Sequence, residues 1–397
     1  MMDIIKDLHN IENDIINWRR ELHKRAEIGL ILPLTEKYIK SELENMGIEY
    51  TSYENCSGIS ALIGKKEGKV VGLRADIDAT AIKEESNVEF ASTTDAMHSC
   101  GHDTHAAMLL GVAKILKKHE DKLNGQVKLI FQPGEEYDGG ARVLIEQGIL
   151  ENPKVDVMFG QHILLAPNVV PGMIALKDNQ AMASADNFYI KVIGKGGHAS
   201  QPENCIDPIV ISNQVIANIY QMASREISPL DSVALTIVNV KSEQPSKVVY
   251  NVIPNYVEIL ASVRCLDNAS RDYVNKRVEE VTKATVEGFR GSYEYKYNYG
   301  HPALTNNADT TAVVRQAAKK VLGDQLVLNI PKPVMASEDA SLYFEKVPGT
   351  YYGIVAGNLN EEGYYPVHNP KMIINESALI NGASVMLQST IDYLNQN

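Results

Sequence analysis

The sequence contains four short clusters of histidine, cysteine and acidic residues, the side chains that bind divalent metal ions in proteins. The densest cluster spans residues 98–105 and reads HSCGHDTH. Gly101 lets the backbone bend between Cys100 and His102, so that both side chains can face one point. A thiolate together with an imidazole suits a borderline or soft divalent cation. The cluster therefore indicates a metal or catalytic site, the alternative being an ordinary free cysteine beside helix-capping residues.

A second cluster is the acidic pair Glu135-Glu136, which follows the apolar segment 127–131. Neighbouring residues in an extended or turning segment point in different directions, so the two carboxylates can do different jobs. One can bind a metal ion while the other accepts a proton from metal-bound water. A solvated acidic turn is the alternative, but a position at the end of a buried strand favours a functional role.

The other two clusters also follow apolar segments. Asp76 and Asp78 alternate after residues 70–73, so they share one face and could orient a ligating imidazole. A salt bridge to Arg74 is the alternative for one of them. His162 follows residues 155–159, and His368 lies in a loop bracketed by prolines. Each of these two histidines is weak evidence by itself.

The elements around these clusters alternate between strands and helices. The apolar segments 70–73, 127–131 and 155–159 predict strands, and 106–116 and 141–149 predict helices between them. Continuous apolar strands separated by helices indicate a mixed, mostly parallel sheet that is covered by helices on both faces. Ligands bind at the carboxyl ends of the strands in such sheets, which is where the clusters occur.

The middle third of the chain has a different order of elements. Strands are predicted at 188–193, 233–240, 256–263 and 292–297, and helices at 208–222 and 270–288. The order β-α-β-β-α-β is typical of a ferredoxin-like α+β unit. We therefore predict an inserted domain at 182–298 within a catalytic domain formed by 1–181 and 299–397.

Three polar side chains of the inserted domain could act on a substrate. His198 lies in the glycine-rich turn 194–200, which lacks the spacing of a phosphate-binding loop and could present the histidine to a neighbouring surface. Asn251 precedes a short apolar segment. Arg264 ends the predicted strand 256–263 and could clamp a carboxylate, an exposed arginine at a strand end being the alternative.

Length, charge and cysteine content exclude several classes of protein. The 397 residues are enough for two domains, and the net charge of −12 makes nucleic acid an unfavourable partner. The four cysteines have no paired short spacing, which argues against a disulfide framework. The first residues lack the blocks of a signal peptide, and no apolar run reaches the roughly 20 residues that a bilayer requires. We expect a soluble, cytoplasmic protein that does not contact a membrane.

Eight motifs together resemble the aminoacylase/carboxypeptidase-like metallo-amidohydrolases. The branch that is most similar holds hippurate hydrolases, N-acyl-amino-acid deacylases and indoleacetyl-amino-acid hydrolases. The motifs occur in order along nearly the whole chain, at 19–23 (RRELH), 74–78 (RADID), 97–103 (MHSCGHD), 131–136 (FQPGEE), 196–199 (GGHA), 251–254 (NVIP), 337–339 (SED) and 367–370 (VHNP).

The resemblance implies a site for two divalent metal ions, with Mn²⁺ or Zn²⁺ expected ahead of Co²⁺ or Ni²⁺. Cys100 resembles a bridging thiolate and Glu135 the general base, with Asp76 and Asp78 as acidic support. The inserted domain resembles a lid and dimerisation domain, so a homodimer or higher oligomer is expected. The remaining metal ligands that the resemblance implies are His102, Glu136, His162 and His368.

The resemblance also assigns roles in the inserted domain. His198 resembles the group that polarises the scissile carbonyl or its oxyanion, in the site of a partner subunit. Asn251 and Arg264 resemble contacts to the end of the substrate.

The expected reaction is hydrolysis of the amide bond of N-acyl-L-amino acids by a metal-bound hydroxide, with Glu135 as base. A carboxypeptidase or dipeptidase acting on short peptides is the alternative enzyme. A metal-dependent binding protein without turnover is a third possibility, which the complete ligand set and the Glu-Glu pair disfavour. A structural zinc site is excluded because its four ligands are usually closely spaced and rich in thiolates.

Overall fold

A computed structural model describes residues 2–65, 67–137, 139–243 and 249–396. Its α-helices, numbered in chain order, are α1 (Met2–His9), α2 (Glu12–His23), α3 (Pro33–Asn45), α4 (His102–Lys118), α5 (Gly140–Glu146), α6 (Pro208–Arg225), α7 (Asn268–Gly288), α8 (Ala308–Leu322), α9 (Ser341–Phe344) and α10 (Leu379–Leu394). Short 3₁₀ turns occur at Glu120–Lys122, Pro202–Asn204, Asp324–Leu326 and Glu376–Ala378.

The strands alternate with these helices over most of the chain. They are β1 (Tyr50–Ser52), β2 (Ile59–Ile63), β3 (Val70–Asp76), β4 (Gln126–Gln132), β5 (Val157–Ala166), β6 (Ile174–Leu176), β7 (Asn179–Met182), β8 (Asp186–Ile193), β9 (Gly197–His198), β10 (Val233–Ser242), β11 (Val252–Ile253), β12 (Tyr256–Cys265), β13 (Ser292–Asn298), β14 (Leu304–Asn306), β15 (Val327–Asn329) and β16 (Gly349–Asn358).

The chain forms two compact units. The first comprises Met1–Asn179, Thr305–Lys332 and Leu342–Asn397, and the second Gln180–Leu304 and Pro333–Ser341. The second unit thus includes the segment Pro333–Ser341, which the sequence boundaries placed in the catalytic domain.

The first unit is built on an eight-stranded sheet with the order β1-β2-β4-β3-β5-β16-β6-β15. Its central strands β4, β3, β5 and β16 run parallel to one another. Strand β3 is buried at every position, as expected for a parallel strand that is covered on both faces. The mixed, mostly parallel sheet with flanking helices confirms the predicted fold class.

Helix α4 lies in the core of this unit, packed against β3, α2 and α10. Small residues let these elements approach closely. A Cβ atom on Gly111, for example, would lie 2.7 Å from Cγ1 of Ile15 on α2. Since α4 begins at His102, its burial fixes the first turn of the helix against the carboxyl ends of the central strands.

The second unit has a four-stranded sheet with the order β10-β12-β8-β13, in which every neighbouring pair is antiparallel. Helices α6 and α7 pack on it around a core that includes Phe188, Ile219 and Val278. Buried and more exposed residues alternate along β8, which is typical of a strand with one face against a core. This arrangement confirms the predicted ferredoxin-like unit.

Two local features differ from the sequence analysis. Strands β1 and β2 were not predicted. Strand β5 continues to Ala166, well beyond the apolar segment 155–159, because it pairs with β16 from Met158 to Ala166. Among the residues that the structure describes, no helix combines the length and apolar character needed to cross a membrane.

Candidate metal centre

The sheet brings the predicted clusters of the first unit to one edge. Asp76 ends β3, and its register partner on the parallel strand β4 is Gln132, three residues before Glu135. Strand β5 lies on the other side of β3. Parallel strands that end at the same edge therefore place the carboxylates of two loops beside His162 of β5.

Glycine at position 101 allows the cysteine-histidine segment to reach this edge. Gly101 precedes α4 with a φ of +83°, a left-handed conformation that favours glycine. A Cβ atom there would lie 2.4 Å from Cδ1 of Ile163 on β5. Any side chain at this position would push the segment away from β5, so Gly101 keeps Cys100 and His102 against His162.

Two of the sets of side chains that could hold a metal ion share the Cys100 thiol. One set is Cys100 with His102 and His162, and the other is Cys100 with Glu136 and His368. Within each set the ligand atoms all lie within 4.8 Å of one another. Glu135 belongs to a further set with His102 and Glu136. All five predicted metal ligands and the predicted base therefore converge in one place.

His102 is held with one ring nitrogen available for a metal ion. Its Nδ1 lies 3.3 Å from Oδ1 of Asp78, while Oδ2 of Asp78 accepts a 3.0 Å hydrogen bond from the Glu136 amide. Nε2 is buried without a hydrogen-bond partner and lies 3.7 Å from Asp76 Oδ2 and 3.8 Å from Glu136 Oε1. A buried nitrogen lone pair facing carboxylate oxygens across such distances fits a bound cation.

The electrostatics of the site favour a positive charge. Burial opposes a charge on His102, yet the carboxylate of Asp76 raises the pKa of the ring well above its ordinary value. Burial and the nearby carboxylates raise the pKa of the Cys100 thiol, so a cation would supply the charge that its thiolate form needs. Despite burial, the hydrogen bond from His368 lowers the pKa of Glu136.

His162 and His368 are oriented by backbone groups. His162 Nδ1 lies 2.7 Å from the carbonyl oxygen of Ile163, and its Nε2 lies 3.4 Å from Sγ of Cys100. His368 has a φ of +64°, and its amide donates a 2.8 Å hydrogen bond to the carbonyl oxygen of Ser99. Its Nε2 lies 3.1 Å from Oε1 of Glu136. The loop carrying His368 is thus tied to the loop carrying Cys100.

Asp76 is fully buried, and both of its oxygens are already engaged. Oδ2 accepts a 2.8 Å hydrogen bond from Arg74, and Oδ1 lies 2.5 Å from Nδ1 of His105. The Arg74 contact is the salt bridge that the sequence left open as an alternative. Burial opposes its charge, but the neighbouring cations hold the pKa of Asp76 well below its ordinary range. These contacts place Asp76 beside His102 and His105.

The second unit holds His198 beside Asn251. Strand β9, which contains His198, pairs with β11, and the Ala199 amide donates to the carbonyl oxygen of Asn251. The amide of Ser200 donates a 3.1 Å hydrogen bond to Nδ1 of the exposed His198, and the Ser200 hydroxyl lies 2.7 Å from the same atom. Because Nδ1 accepts a backbone hydrogen bond, the proton of the neutral ring lies on Nε2, which is then a donor.

Arg264 lies on β12 of the second unit. Its Nη1 donates a 2.5 Å hydrogen bond to the hydroxyl of Ser337. The contact joins Arg264 to the motif segment 337–339, and it orients the guanidinium group.

The structure places two site residues differently from the sequence analysis and adds one. His162 lies within β5 rather than after it, since pairing with β16 extends the strand past the apolar segment. His102 lies in the first turn of α4, whose predicted start was residue 106. His105 had no predicted role, although its spacing of three residues from His102 on a helix could have indicated that both face the same edge.

Comparisons with known proteins agree with this geometry. The sequence model of the family described as peptidase family M20/M25/M40 matches residues 72–391 of this chain. The N-acetyl-L-cysteine deacetylase of Bacillus subtilis (strain 168) is 34% identical over 393 residues, covering 98% of this chain and 91% of that protein. Thermostable carboxypeptidase 2 of Saccharolobus solfataricus is 35% identical over 407 residues, covering 100% of both.

A solved structure is also similar over nearly the whole chain. The Bacillus subtilis protein described as a dinuclear metal binding peptidase from the M20 family has a TM-score of 0.83 and 29% identity, covering 98% of this chain and 100% of that chain. The chain thus belongs to peptidase family M20/M25/M40, which confirms the resemblance stated from its motifs.

Proposed function

We propose that this protein is a hydrolase that uses two divalent metal ions to cleave the amide bond of N-acyl-L-amino acids. The observation that carries the proposal is the Cys100 thiol, which belongs to two separate sets of ligands. A ligand shared in this way suits a pair of ions bridged by a thiolate. The similarity to a dinuclear metal binding peptidase and to a deacetylase of an N-acetylated amino acid supports it.

The residues present fit this chemistry. Divalent cations at the site would lower the pKa of water and polarise a carbonyl oxygen. Cys100 would bind both ions, His102 and His162 one of them, and Glu136 and His368 the other. Mn²⁺ and Zn²⁺ are the first candidates, and Co²⁺ and Ni²⁺ also accept mixed nitrogen, oxygen and thiolate ligands.

Glu135 is proposed as the general base. It lies beside Glu136 and His102, with its carboxylate near the ligand atoms. In the reaction Glu135 accepts the proton of the attacking water and passes it to the nitrogen of the leaving amine. Asp78 and Asp76 hold the ligands in place, so that Glu135 alone among the acids of the site moves a proton.

His198 is proposed to stabilise the negative charge that develops on the carbonyl oxygen, in the site of a partner subunit. The support is its hydrogen bonding, since the Ser200 amide occupies Nδ1 and leaves an N–H at Nε2. Arg264 and Asn251 are proposed to bind the carboxylate end of the amino acid, for which the planar guanidinium group is suited.

A carboxypeptidase or dipeptidase is the second candidate function, because the chain is similar over its full length to a thermostable carboxypeptidase. The same residues could act on a peptide bond. A panel of N-acetyl and N-benzoyl amino acids set against dipeptides would separate the two activities. The proposal names acylated amino acids and would be wrong if only the dipeptides were hydrolysed.

The test of the base is Glu135→Gln, which keeps the shape of the side chain and removes the proton acceptor. We expect turnover to fall by at least about 10²-fold, the lower range for loss of general base catalysis, while metal content stays at two ions per chain. Glu54→Gln, an exposed position of the same unit, is the matched control. Turnover near that of the wild type in Glu135→Gln would exclude Glu135 as the base.

We propose that the second unit also forms a homodimer. Strand β10 lies at the edge of its sheet, and no strand of the described part of the chain pairs with its outer side. Val238 and Val240 on this strand are exposed. An exposed apolar edge strand is suited to pairing with a second copy. Light scattering should give twice the chain mass, and Val240→Lys should lower it to that of a monomer.

We also propose which partners the protein has and where it is located. The partners are a small acylated amino acid or short peptide, with neither nucleic acid nor membrane, in line with a net charge of −12. A cytoplasmic location is supported by the four cysteines, all of which are free thiols.

A further inference from the structure

We propose that His105 is a positioning residue that aims His162 at the metal centre through the backbone of Ile163. The inference rests on the proposed two-ion site and assigns a role to a side chain that the mechanism above does not use. Only one of the two ions, the one bound by His162, should depend on that side chain.

The hydrogen bonds of His105 determine its protonation. The ring is completely buried, and the amide of Ile163 lies 3.0 Å from its Nε2. An amide can only donate, so Nε2 is the acceptor and Nδ1 carries the proton. Nδ1 therefore donates to Oδ1 of Asp76 at 2.5 Å.

This assignment excludes His105 as a metal ligand, although it lies close to Asp76 and His102. A ligating imidazole needs one nitrogen with a free lone pair. Both ring nitrogens of His105 are occupied, one as an acceptor and the other as a donor. His102 differs from it, because its Nε2 has no hydrogen-bond partner.

The hydrogen bonds behind His105 tie it to the centre of the sheet. Asp76, its acceptor, also accepts from Arg74. The guanidinium group of Arg74 further donates to Gln132 on β4 at 3.0 Å and lies 3.2 Å from the hydroxyl of Tyr351 on β16. His105 thus connects Ile163 of β5, through Asp76 and Arg74, to the buried strands β3, β4 and β16.

Ile163 contacts both His105 and the candidate ligand His162. Its amide donates to His105, and its carbonyl oxygen accepts from Nδ1 of His162. The rings of His105 and His162 lie 4.7 Å apart between centroids, at an angle of 61°. The two bonds hold the successive peptide groups on either side of the Ile163 Cα atom. Together they fix the direction in which Nε2 of His162 points, which is toward Sγ of Cys100 at 3.4 Å.

The effect should be confined to one ion. His162 belongs to the set formed with Cys100 and His102, whereas the other set uses Glu136 and His368. His368 is held by the Ser99 carbonyl oxygen and by no contact from His105 among those described. Loss of the Ile163 hydrogen bond should weaken the ion bound by His162 and leave the other ion in place.

The test compares two substitutions of His105. Asn can keep a donor where Nδ1 stands, and so satisfy the buried Asp76, but it is too short to accept from the Ile163 amide. Gln carries both a donor and an acceptor at a distance closer to that of the ring. His119→Asn is the matched control, because it removes the Nε2 hydrogen bond of another histidine, at the end of the same helix, to Asp7.

Each protein is stripped with a chelator and titrated with Co²⁺, followed by calorimetry and by the visible absorption of the bound metal. The wild type should bind two ions. In His105→Asn one dissociation constant should rise by about 10- to 100-fold, the range typical of partners that orient a ligating histidine, with a changed absorption spectrum for that ion alone. His105→Gln should recover most of the affinity, and His119→Asn should match the wild type.

Two results would overturn the inference. One is His105→Asn binding both ions with unchanged affinity and spectrum, and the other is an equal loss for both ions, which indicates general damage to the fold. In either case two ions in the wild type would leave the proposed function standing. Fewer than two ions in the wild type would instead contradict the two-ion site and this inference together.

Discussion

The two units hold their functional histidines in different ways. In the first unit His102 and His105 are buried, and each is bonded to a carboxylate from a distant strand or loop. In the second unit His198 is exposed and is held by Ser200, only two residues away. A proposed metal ligand such as His102, and the residue proposed to position a ligand, His105, must keep a fixed position, whereas a single hydrogen-bond donor needs only the correct tautomer.

This difference has an energetic cause. Burying charged groups is costly unless they are paired, so the first unit needs a connected set of partners for Asp76, Asp78 and Arg74. The exposed turn around His198 has no such requirement. Substitutions should therefore have large effects where buried charges are paired over long distances and small effects where the support is local.

The largest effect is expected for a buried ion pair of the second unit. It tests whether a buried pair between distant residues stabilises that unit as strongly as it does the first. Asp186 is buried there and accepts two hydrogen bonds from Arg271 on α7. Arg271→Met leaves this carboxylate without its cation and should lower the free energy of unfolding by about 3–5 kcal/mol, the cost of breaking a buried ion pair. Chemical denaturation measures it. Arg277→Met, which breaks an exposed pair with Glu226, should cost far less.

A smaller effect is expected for Asp78, which contacts two of the proposed ligands of the first unit. Asp78→Ala removes the acceptor for His102 Nδ1 and for the Glu136 amide. Metal affinity should fall by about 10- to 100-fold, because both ligands lose their orientation. Calorimetric titration with Mn²⁺ checks this, with Asp121→Ala at an exposed ion pair as the control. Equal affinity in the two variants would contradict the role given to Asp78.

The pH dependence of stability concerns His23, another buried histidine of the first unit. Burial and Arg19 oppose its charge, but Asp103 and Glu84 raise the pKa of His23 above its ordinary value. A group whose pKa is higher in the folded state stabilises that state below its unfolded pKa, and the gain is lost as the pH rises through the folded pKa. His23→Gln should therefore destabilise the protein more at pH 6 than at pH 9, as measured by denaturation at each pH.

The smallest effect is expected at Ser200. Ser200→Ala removes the hydroxyl near His198 Nδ1 but keeps the backbone amide that fixes the tautomer. Turnover should fall by roughly 2- to 10-fold, the equivalent of one ordinary hydrogen bond, with metal affinity unchanged. Steady-state kinetics and metal titration measure the two quantities. A loss of more than about 100-fold would show that the turn depends on the side chain, and the contrast between the units would then be weaker than stated.

The sequence was sufficient to predict the sheet, the inserted ferredoxin-like unit and the family. Apolar periodicity and ordered motifs are local features of the sequence. Motif residues such as Cys100 and Glu136 can be recognised because the residues next to them in the sequence complete the motif. All five predicted ligands meet in the first unit.

The supporting contacts could not be predicted in the same way. His105 bonds to Asp76 across 29 residues and to Ile163 across 58 residues, and no local pattern indicates either partner. The end of β5 was missed for a related reason, because pairing with β16, far along the chain, extends the strand through the polar residues Gln161 and His162.

The left-handed backbone of His368 limits how stable this protein can become. A residue other than glycine in that region costs roughly 1–2 kcal/mol, and glycine at the same position would relieve the cost. The imidazole of His368 is proposed as a metal ligand, so glycine at this position would remove it from the proposed site. Selection for thermal stability alone would therefore replace His368. A variant engineered for heat resistance should keep His368 and gain its stability from substitutions at other positions.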